Sequence, residues 1–294
     1  KDTNVAVQNP LNAPSKGVRG DFGNWQALVR LNIEAFLPRA WRRPVTKEEV
    51  DGITAFYDID TPVTLAALDR GDCSYLSPGL IAGYDLYLSF TGGPTLDLIE
   101  RRYGSPAARA LYCSVDTDAY HPLPVPKRWD LSYLGTYSTD RQPVLDTLLL
   151  EPARRMPELR FVVAGPQYPE GIAWPENVER IAHVAPQDHP AFYGASRWTL
   201  NVTRADMVKA GFSPSVRLFE AAACGTAIIS DRWEGIDTLF ADGRSIMLAS
   251  SADDVVRILA TAEPAALGAG ARAVIDGGHS ARHRAAELEG LLQA

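Results

Sequence analysis

Short apolar runs alternate with amphipathic runs along most of the chain. Residues 53–60, 84–90 and 108–116 have the length and composition of buried strands. Between them, residues 65–70 and 95–104 carry apolar side chains at helical spacing. Strands that alternate with helices are typical of parallel sheets, because each crossover helix covers a face of the sheet. The pattern therefore predicts an α/β fold.

The same alternation returns after residue 130. The predicted strands of this second half are residues 131–137, 159–166, 177–184, 198–203, 226–231 and 245–250. Ser251, followed by Asp253 and Asp254, predicts the start of a helix, because oxygen side chains and negative charge are favourable there. Prolines at positions 122, 124 and 126 predict an extended linker between the two halves.

We therefore expect two Rossmann-like parallel-sheet domains. The first covers residues 51–125 and is truncated for a domain of this type, whereas the second covers residues 126–294. Residues 1–50 are predicted to form an atypical N-terminal arm with helices, one of them over residues 25–41 and another capped by Thr46 and Glu49. Ligands of open parallel sheets bind beyond the carboxyl ends of the strands. The cleft between the two sheets is thus the expected site.

Composition narrows the choice of partners. The chain has 294 residues and a net charge of −7 without a long basic block, which argues against nucleic acid. No apolar run approaches the roughly 20 residues of a membrane-spanning helix, and no signal peptide is recognisable, so a cytoplasmic location is predicted. Cys73, Cys113 and Cys224 are far apart and are predicted to be free thiols. No metal site and no cofactor are expected.

Residues 211–240 are the most informative stretch. Ser213 and Pro214 predict the start of a helix. A helix start offers free N–H groups and a positive dipole end to an anion. Glu220 lies further along the same helix, where its carboxylate would accept hydrogen bonds from sugar hydroxyls. The combination favours a nucleotide diphosphate with its ribose; the alternative for Glu220 is an ion pair with Arg217, three positions earlier.

Several segments resemble those of one enzyme family. YLGTYSTDRQP (133–143), FVVAGPQYP (161–169) and PSVRLFEAAACGTAIISDRWEGIDTLF (214–240) look like the CgeB-like, or spore maturation protein-like, glycosyltransferases of bacteria, which have the GT-B fold. DIDTPVTL and LYLSFTGGPTL fit the preceding domain of that family. The resemblance covers residues 53–290. It implies a nucleotide-diphosphate sugar as donor, bound mainly by the second domain, and an acceptor hydroxyl that the sequence does not name.

The resemblance also assigns the donor site. Glu220 matches the second acid of the Glu-x7-Glu pattern of retaining GT-B enzymes, which holds the donor ribose, and the first acid would fall at Phe212 and is absent. The other matching positions contact either the phosphates or the base. The phosphate positions are Gly135, Thr136, Arg141, Ser215 and Val216, and the base positions are Gly165, Pro166, Gln167, His183 and Val184.

Three residues are candidates for the chemistry. Arg217 would stabilise the departing diphosphate, as a positioned cation does, and Arg204 at a strand end is a second such cation. Asp60 would bind the acceptor hydroxyl or act as its base, although Asp60 also fits a helix cap. Thr91–Gly93 either lets the backbone approach a ligand or forms a simple turn.

Two alternatives to a glycosyltransferase stay open. One is a non-catalytic nucleotide-binding or interaction remnant of a GT-B protein, and the other is a nucleotide-sugar epimerase, which needs further acid and base residues in the cleft. A dinucleotide oxidoreductase is disfavoured because no GxGxxG follows a strand. Residues 35–49, AFLPRAWRRPVTKEE, instead resemble a short motif of planctomycete-type proteins that are unrelated to this family.

Overall fold

The computed structural model describes residues 54–293, which belong to one compact unit that begins at Ile53. The strands are β1 (Ala55–Asp58), β2 (Leu86–Ser89), β3 (Ala108–Ala110), β4 (Trp129–Leu134), β5 (Phe161–Ala164), β6 (Val178–Ile181), β7 (Ser196–Asn201), β8 (Ala227–Ser230) and β9 (Met247–Leu248). The predicted helix over residues 25–41 and the capping box at Thr46 lie outside the described residues.

Helices follow most of the strands. They are α1 (Thr61–Arg70), α2 (Pro78–Ile81), α3 (Pro94–Tyr103), α4 (Gln142–Leu145), α5 (Glu151–Arg155), α6 (His189–Gly194), α7 (Ala205–Ala210), α8 (Val216–Ala223), α9 (Ala252–Thr261), α10 (Pro264–Val274) and α11 (Ala281–Gln293). A π-helical turn joins α4 to α5 and another follows α10. Short 3₁₀ turns cover Pro186–Asp188 and Ile236–Thr238.

The strands form two sheets, and all named pairs are parallel. One sheet has the order β1-β2-β3, and the other has the order β6-β5-β4-β7-β8-β9. The larger order is that of a Rossmann fold, in which the chain reverses its direction of winding between the first and fourth strands. Here that switch point lies between β4 and β7. The predicted α/β fold with parallel sheets is confirmed.

Apolar residues bury both faces of the six-stranded sheet. Leu131, Leu200 and Ile229 belong to the core on one face, and Val162 and Ile228 to the core on the other. This two-sided burial explains why the central strands read as continuous apolar runs instead of alternating ones. The sheet is therefore a rigid base for the loops at its carboxyl edge.

Both faces of the three-stranded sheet are covered, and the last helix of the described chain covers one of them. Leu65, Ile81 and Ile99 pack on one of its faces. Leu86 and Leu88 pack on the other face against Leu288, Leu291 and Leu292 of α11. The last helix thus belongs to the three-stranded sheet by packing, and the predicted limits of the domains stay a prediction. Between β3 and β4, Val115 forms an isolated bridge with Ser280 just before α11.

The predicted start of the helix before β8 is wrong. Ser215, not Ser213, occupies the N-cap position of α8. Ser213 is buried instead, and its hydroxyl lies 2.9 Å from that of Thr91 in the loop after β2. A tertiary contact thus uses the side chain that the local pattern assigned to a cap. By contrast, the predicted cap at Ser251 is confirmed at the start of α9, where Asp254 completes a capping box.

Helix α7 has six residues, too few to produce a periodic pattern, and was not predicted. Cys73, Cys113 and Cys224 are free thiols, as expected.

Candidate functional site

Asn201 ties the start of α8 to the switch point of the large sheet. It is the last residue of β7, and its side chain is buried. Its Oδ1 accepts hydrogen bonds from Ser215 Oγ at 2.6 Å and from Arg217 Nη1 at 3.2 Å. The sequence analysis did not single out Asn201. An amide side chain at the end of an apolar strand is nevertheless a sequence signal for a residue of the site. The first turn of α8 therefore points its residues towards the carboxyl ends of β4 and β7.

Arg217 is held in place by the neighbouring strand. Its Nε donates to the carbonyl oxygen of Leu134, and its guanidinium lies 5.0 Å from the ring centre of Tyr133. A Cβ at Gly135 would come within 3.0 Å of both the Arg217 and Tyr133 side chains. A side chain at position 135 would therefore displace the guanidinium or the Tyr133 phenol from this arrangement.

Two loops pack together beyond β4 and β5. Gly165 has a φ of +138°, and a Cβ there would collide with the backbone of Gly135. The N–H of Tyr137 donates to the Pro166 carbonyl oxygen at 3.0 Å. Gln167, exposed, has a φ of +69° and completes the tight turn. The structure thus brings the predicted phosphate positions 135 and 136 close to the predicted base positions 165–167.

Arg180 supports these loops and was missed by the sequence analysis. Its guanidinium stacks on Tyr168 at 4.2 Å and on Trp174 at 4.6 Å. Its Nη2 donates to the Gly165 carbonyl oxygen at 3.2 Å, and the Tyr168 hydroxyl donates to the Gly135 carbonyl oxygen at 3.2 Å. The planar cation between two aromatic rings keeps the β5 loop rigid.

Arg141 lies above the loop after β4. Its Nη2 donates to the carbonyl oxygen of Thr136 at 2.8 Å. Its Nε is buried and has no hydrogen-bond partner among residues 54–293. Thr136 itself is exposed, and Val216 at the start of α8 is 42% exposed. A guanidinium next to a solvent-accessible loop is suited to an anionic ligand.

Glu220 is held by α6 and not by Arg217. Its Oε2 accepts a hydrogen bond from the Tyr193 hydroxyl at 3.2 Å and lies 3.8 Å from His189 Nδ1. The ion pair with Arg217 that the spacing allows does not form. Burial, and then the charge of Glu220, raises the pKa of Tyr193, so this phenol remains a neutral donor. The Glu220 side chain is 18% exposed, so it is not fully buried.

Asp60 and Arg204 face each other from the two sheets. Asp60 follows β1, Arg204 follows β7, and their closest charged atoms are 4.0 Å apart. Burial raises the pKa of Asp60, and the Arg204 charge acts in the opposite direction. Asp60 occupies the N-cap position of α1, but its side chain makes no capping hydrogen bond. Its carboxylate is therefore directed to this inter-sheet contact.

His183 and Val184 lie further along the edge. They follow β6, which is the outermost strand on that side of the sheet. His183 is exposed, whereas Val184 packs against the core that α6 and α8 share. The predicted base positions therefore span the carboxyl edge from β5 to β6.

Residues 54–293 contain no candidate metal site. No group of three or more His, Cys, Asp or Glu side chains there is arranged to hold a metal ion. No single helix in this range has the length and hydropathy to cross a membrane. Helix α9 and the helical segment Pro264–His279 pass such a test as a pair, but they are bent by 104°. A shallow depression of about 300 Å³ is lined by Arg128, Trp129, Arg160 and Phe161. It lies at the amino ends of the strands, opposite the site described above.

A match to a protein family covers most of the large sheet. The family described as "Glycosyl transferase-like" matches residues 141–290, which are 150 of the 294 residues. No match was found among curated proteins.

Solved structures show a similar fold at low sequence identity. Sucrose-phosphate synthase from Thermosynechococcus elongatus has 15% identity and a TM-score of 0.60, with 81% of this chain and 66% of that chain covered. HepE from Anabaena, in complex with UDP and glucose, has 13% identity and a TM-score of 0.61, with 95% and 84% covered. The pneumococcal O-GlcNAc transferase GtfA, in complex with UDP and GlcNAc, has 12% identity and a TM-score of 0.53, with 74% and 46% covered. The chain thus spans just under two thirds of the synthase and less than half of GtfA.

Proposed function

Because the chain belongs to the glycosyl transferase-like family, we propose that it transfers a sugar from a nucleotide-diphosphate donor to an acceptor hydroxyl. The observation that carries this proposal is the convergence of Arg217, Arg141 and the start of α8 on the loop after β4. Cations and free backbone N–H groups at one point suit a diphosphate.

The donor would lie across the carboxyl edge of the six-stranded sheet. Its diphosphate would contact the N–H groups at the start of α8, where Ser215 and Val216 lie, and the turn of Gly135 and Thr136. Its ribose would reach the carboxylate of Glu220. The base would lie against residues 165–167 and 183–184. UDP is bound by HepE and GtfA, which have similar folds, and this supports UDP as the first nucleotide to test.

Charge stabilisation would supply most of the catalysis. As the bond between the sugar and the diphosphate breaks, negative charge grows on the leaving group, and Arg217 and Arg204 would stabilise it. Asp60 is proposed to accept the proton of the acceptor hydroxyl, because burial raises the pKa of its carboxyl group. The acceptor would approach from the three-stranded sheet. No metal or other cofactor is part of this proposal, and a cytoplasmic location remains proposed.

A second candidate function is nucleotide binding without transfer. Phe212 stands where the first acid of the Glu-x7-Glu pattern would fall. Loss of an acid that contacts the sugar would leave a binding module of the same fold. Release of sugar or formation of a glycoside from UDP-glucose distinguishes an enzyme from such a module.

Replacement of Glu220 tests the donor site. Glu220→Ala should weaken UDP or GDP binding by about 1–3 kcal/mol, because a charged hydrogen bond to the ribose is lost. Calorimetry measures the affinity, and Glu220→Gln, which keeps the shape, separates charge from packing. Glu151→Ala, at an exposed carboxylate on α5, serves as the control. An unchanged affinity in folded Glu220 variants would contradict the assignment.

A further inference from the structure

Phe212 forms the direct backbone link between the two sheets near the candidate site. Its N–H donates to the carbonyl oxygen of Glu234, in the loop after β8, at 2.6 Å. Its own carbonyl oxygen accepts from the N–H of Gly92, in the loop after β2, at 2.9 Å. One residue therefore joins a loop of the three-stranded sheet to two segments of the six-stranded half.

The half-buried phenyl ring of Phe212 lies against two glycines, Gly93 and Gly235. A Cβ at either position would come within 3.0 Å of ring carbons of Phe212. Their φ angles of +57° and +89° also favour glycine. Backbone thus covers the ring from both loops, and we call this arrangement of Phe212, Gly93 and Gly235 the aromatic pin.

The backbone of Phe212 is itself unfavourable. Its φ of +46° lies in the left-handed region, which a bulky residue rarely adopts. Such a conformation persists only where surrounding contacts impose it, and it often marks a functional position. Here those contacts are the two backbone hydrogen bonds and the packing of the ring on Gly93 and Gly235.

The pin lies next to the residues that start α8. Ser213, the following residue, meets Thr91 across the same contact at 2.9 Å, and both side chains are buried. Ser215, two positions further, is bound to Asn201 at the switch point. Displacement of Phe212 would therefore loosen the loop Thr91–Gly93 and the segment before α8, whereas the hydrogen bond to Asn201 keeps Ser215 in place.

We propose that Phe212 is a positioning residue that fixes the loop Thr91–Gly93 against the start of α8 and so holds the two sheets in the arrangement needed for transfer. The inference rests on the proposed function. Where the Glu-x7-Glu pattern has an acid, this chain has a residue that joins its halves. Phe212 acts through the loop and the helix start and is not itself expected to touch the donor.

The test compares Phe212→Ala with Phe212→Gly. Both remove the ring, but the glycine variant also relieves the unfavourable φ, so the two separate the ring from the backbone conformation. We expect hydrogen exchange of the peptide 90–96, which carries the Gly92 N–H, to rise about tenfold or more in both variants. UDP affinity should change less than about threefold, whereas kcat with UDP-glucose should fall about tenfold or more with a smaller change in KM.

Phe56→Ala is the matched control. Phe56 is a half-buried aromatic residue of the three-stranded half, which also contains the peptide 90–96, and it packs against Tyr84 and Tyr87, away from the pin. This variant should leave exchange at residues 90–96 at the wild-type level. Wild-type exchange in Phe212→Ala, or a Phe212→Gly variant that behaves like the wild type, would overturn the inference. Failure of the wild type to bind UDP or GDP would instead overturn the proposed function, and the exchange result would still decide whether the pin exists.

Discussion

The two halves of the described chain differ in how completely they close. The six-stranded sheet has the full Rossmann strand order and is buried on both faces. The three-stranded sheet leaves β1 at its edge, and its half carries four of the six large apolar side chains that are exposed among residues 54–293: Tyr57, Ile59, Tyr75 and Leu98. Under the proposed function, the six-stranded half alone would recognise the nucleotide, whereas transfer would also need the contacts between the two halves.

Among the variants that distinguish the two halves, Arg217→Ala should have the largest effect. It removes the cation that joins α8 to the end of β4, so UDP affinity should fall by about 2–3 kcal/mol, or roughly 30- to 150-fold. Calorimetry with UDP measures it. Arg197→Ala removes an exposed arginine at the amino end of β7 and should have no effect. Equal losses in both variants would show that net charge, not the site, binds the nucleotide.

Two tyrosines allow a matched comparison of the halves. Tyr193→Phe removes the hydroxyl that positions Glu220 and should weaken UDP binding by about 1 kcal/mol. Tyr87→Phe removes the hydroxyl that donates to the buried Asp58 at 2.6 Å in the three-stranded half. It should lower the free energy of unfolding by a similar amount without changing UDP affinity. If Tyr87→Phe weakened UDP binding as much as Tyr193→Phe, UDP binding would not depend on the six-stranded half alone.

The smallest expected effect concerns the pH dependence of stability. Hydrogen bonds to the backbone of Ser250 and to Ser251 lower the pKa of Asp254 to about 2. Since the unfolded value is about 3.9, this stabilisation is complete above about pH 4 and is lost as the pH falls towards 2. Asp254→Asn should cost about 0.5–1 kcal/mol at pH 7 and less at pH 2.5, measured by urea unfolding.

Asp58, in the three-stranded half, is expected to give a pH dependence of stability with the opposite sign. Burial raises its pKa, so ionisation disfavours the folded state, and its contribution to stability falls as the pH rises from about 4 through the folded-state pKa. Asp58→Asn should remove this dependence. The same slope in Asp254→Asn and Asp58→Asn would show that neither carboxylate governs it.

Local signals predicted the large sheet well. Its strands are apolar runs whose ends carry Gly135, Gly165 or Asp231, and each of these marks a strand end without knowledge of the fold. The start of α8 could not be predicted in this way, because Ser213 serves a contact with Thr91, which is 122 positions away in the chain. Sequence spacing also allowed an ion pair between Arg217 and Glu220 that the packing of α6 prevents. Long-range contacts decided these cases.

Arg180 is another residue of the candidate site that the sequence pattern could not predict. Its partners Tyr168 and Trp174 lie in one loop, and no spacing rule connects that loop with a cation on β6. The sequence could offer Arg180 only as one of many arginines.

The bridge between Val115 and Ser280 has a consequence for movement. The chain passes from the small sheet to the large one just after Val115 and returns just after Ser280, where the N–H of Ala281 donates to the Val115 carbonyl oxygen at 2.9 Å. Both covalent crossings therefore run side by side. A rotation of one half relative to the other about this hinge axis would leave every strand pair intact and would break mainly the distant contacts around Phe212 and Arg204.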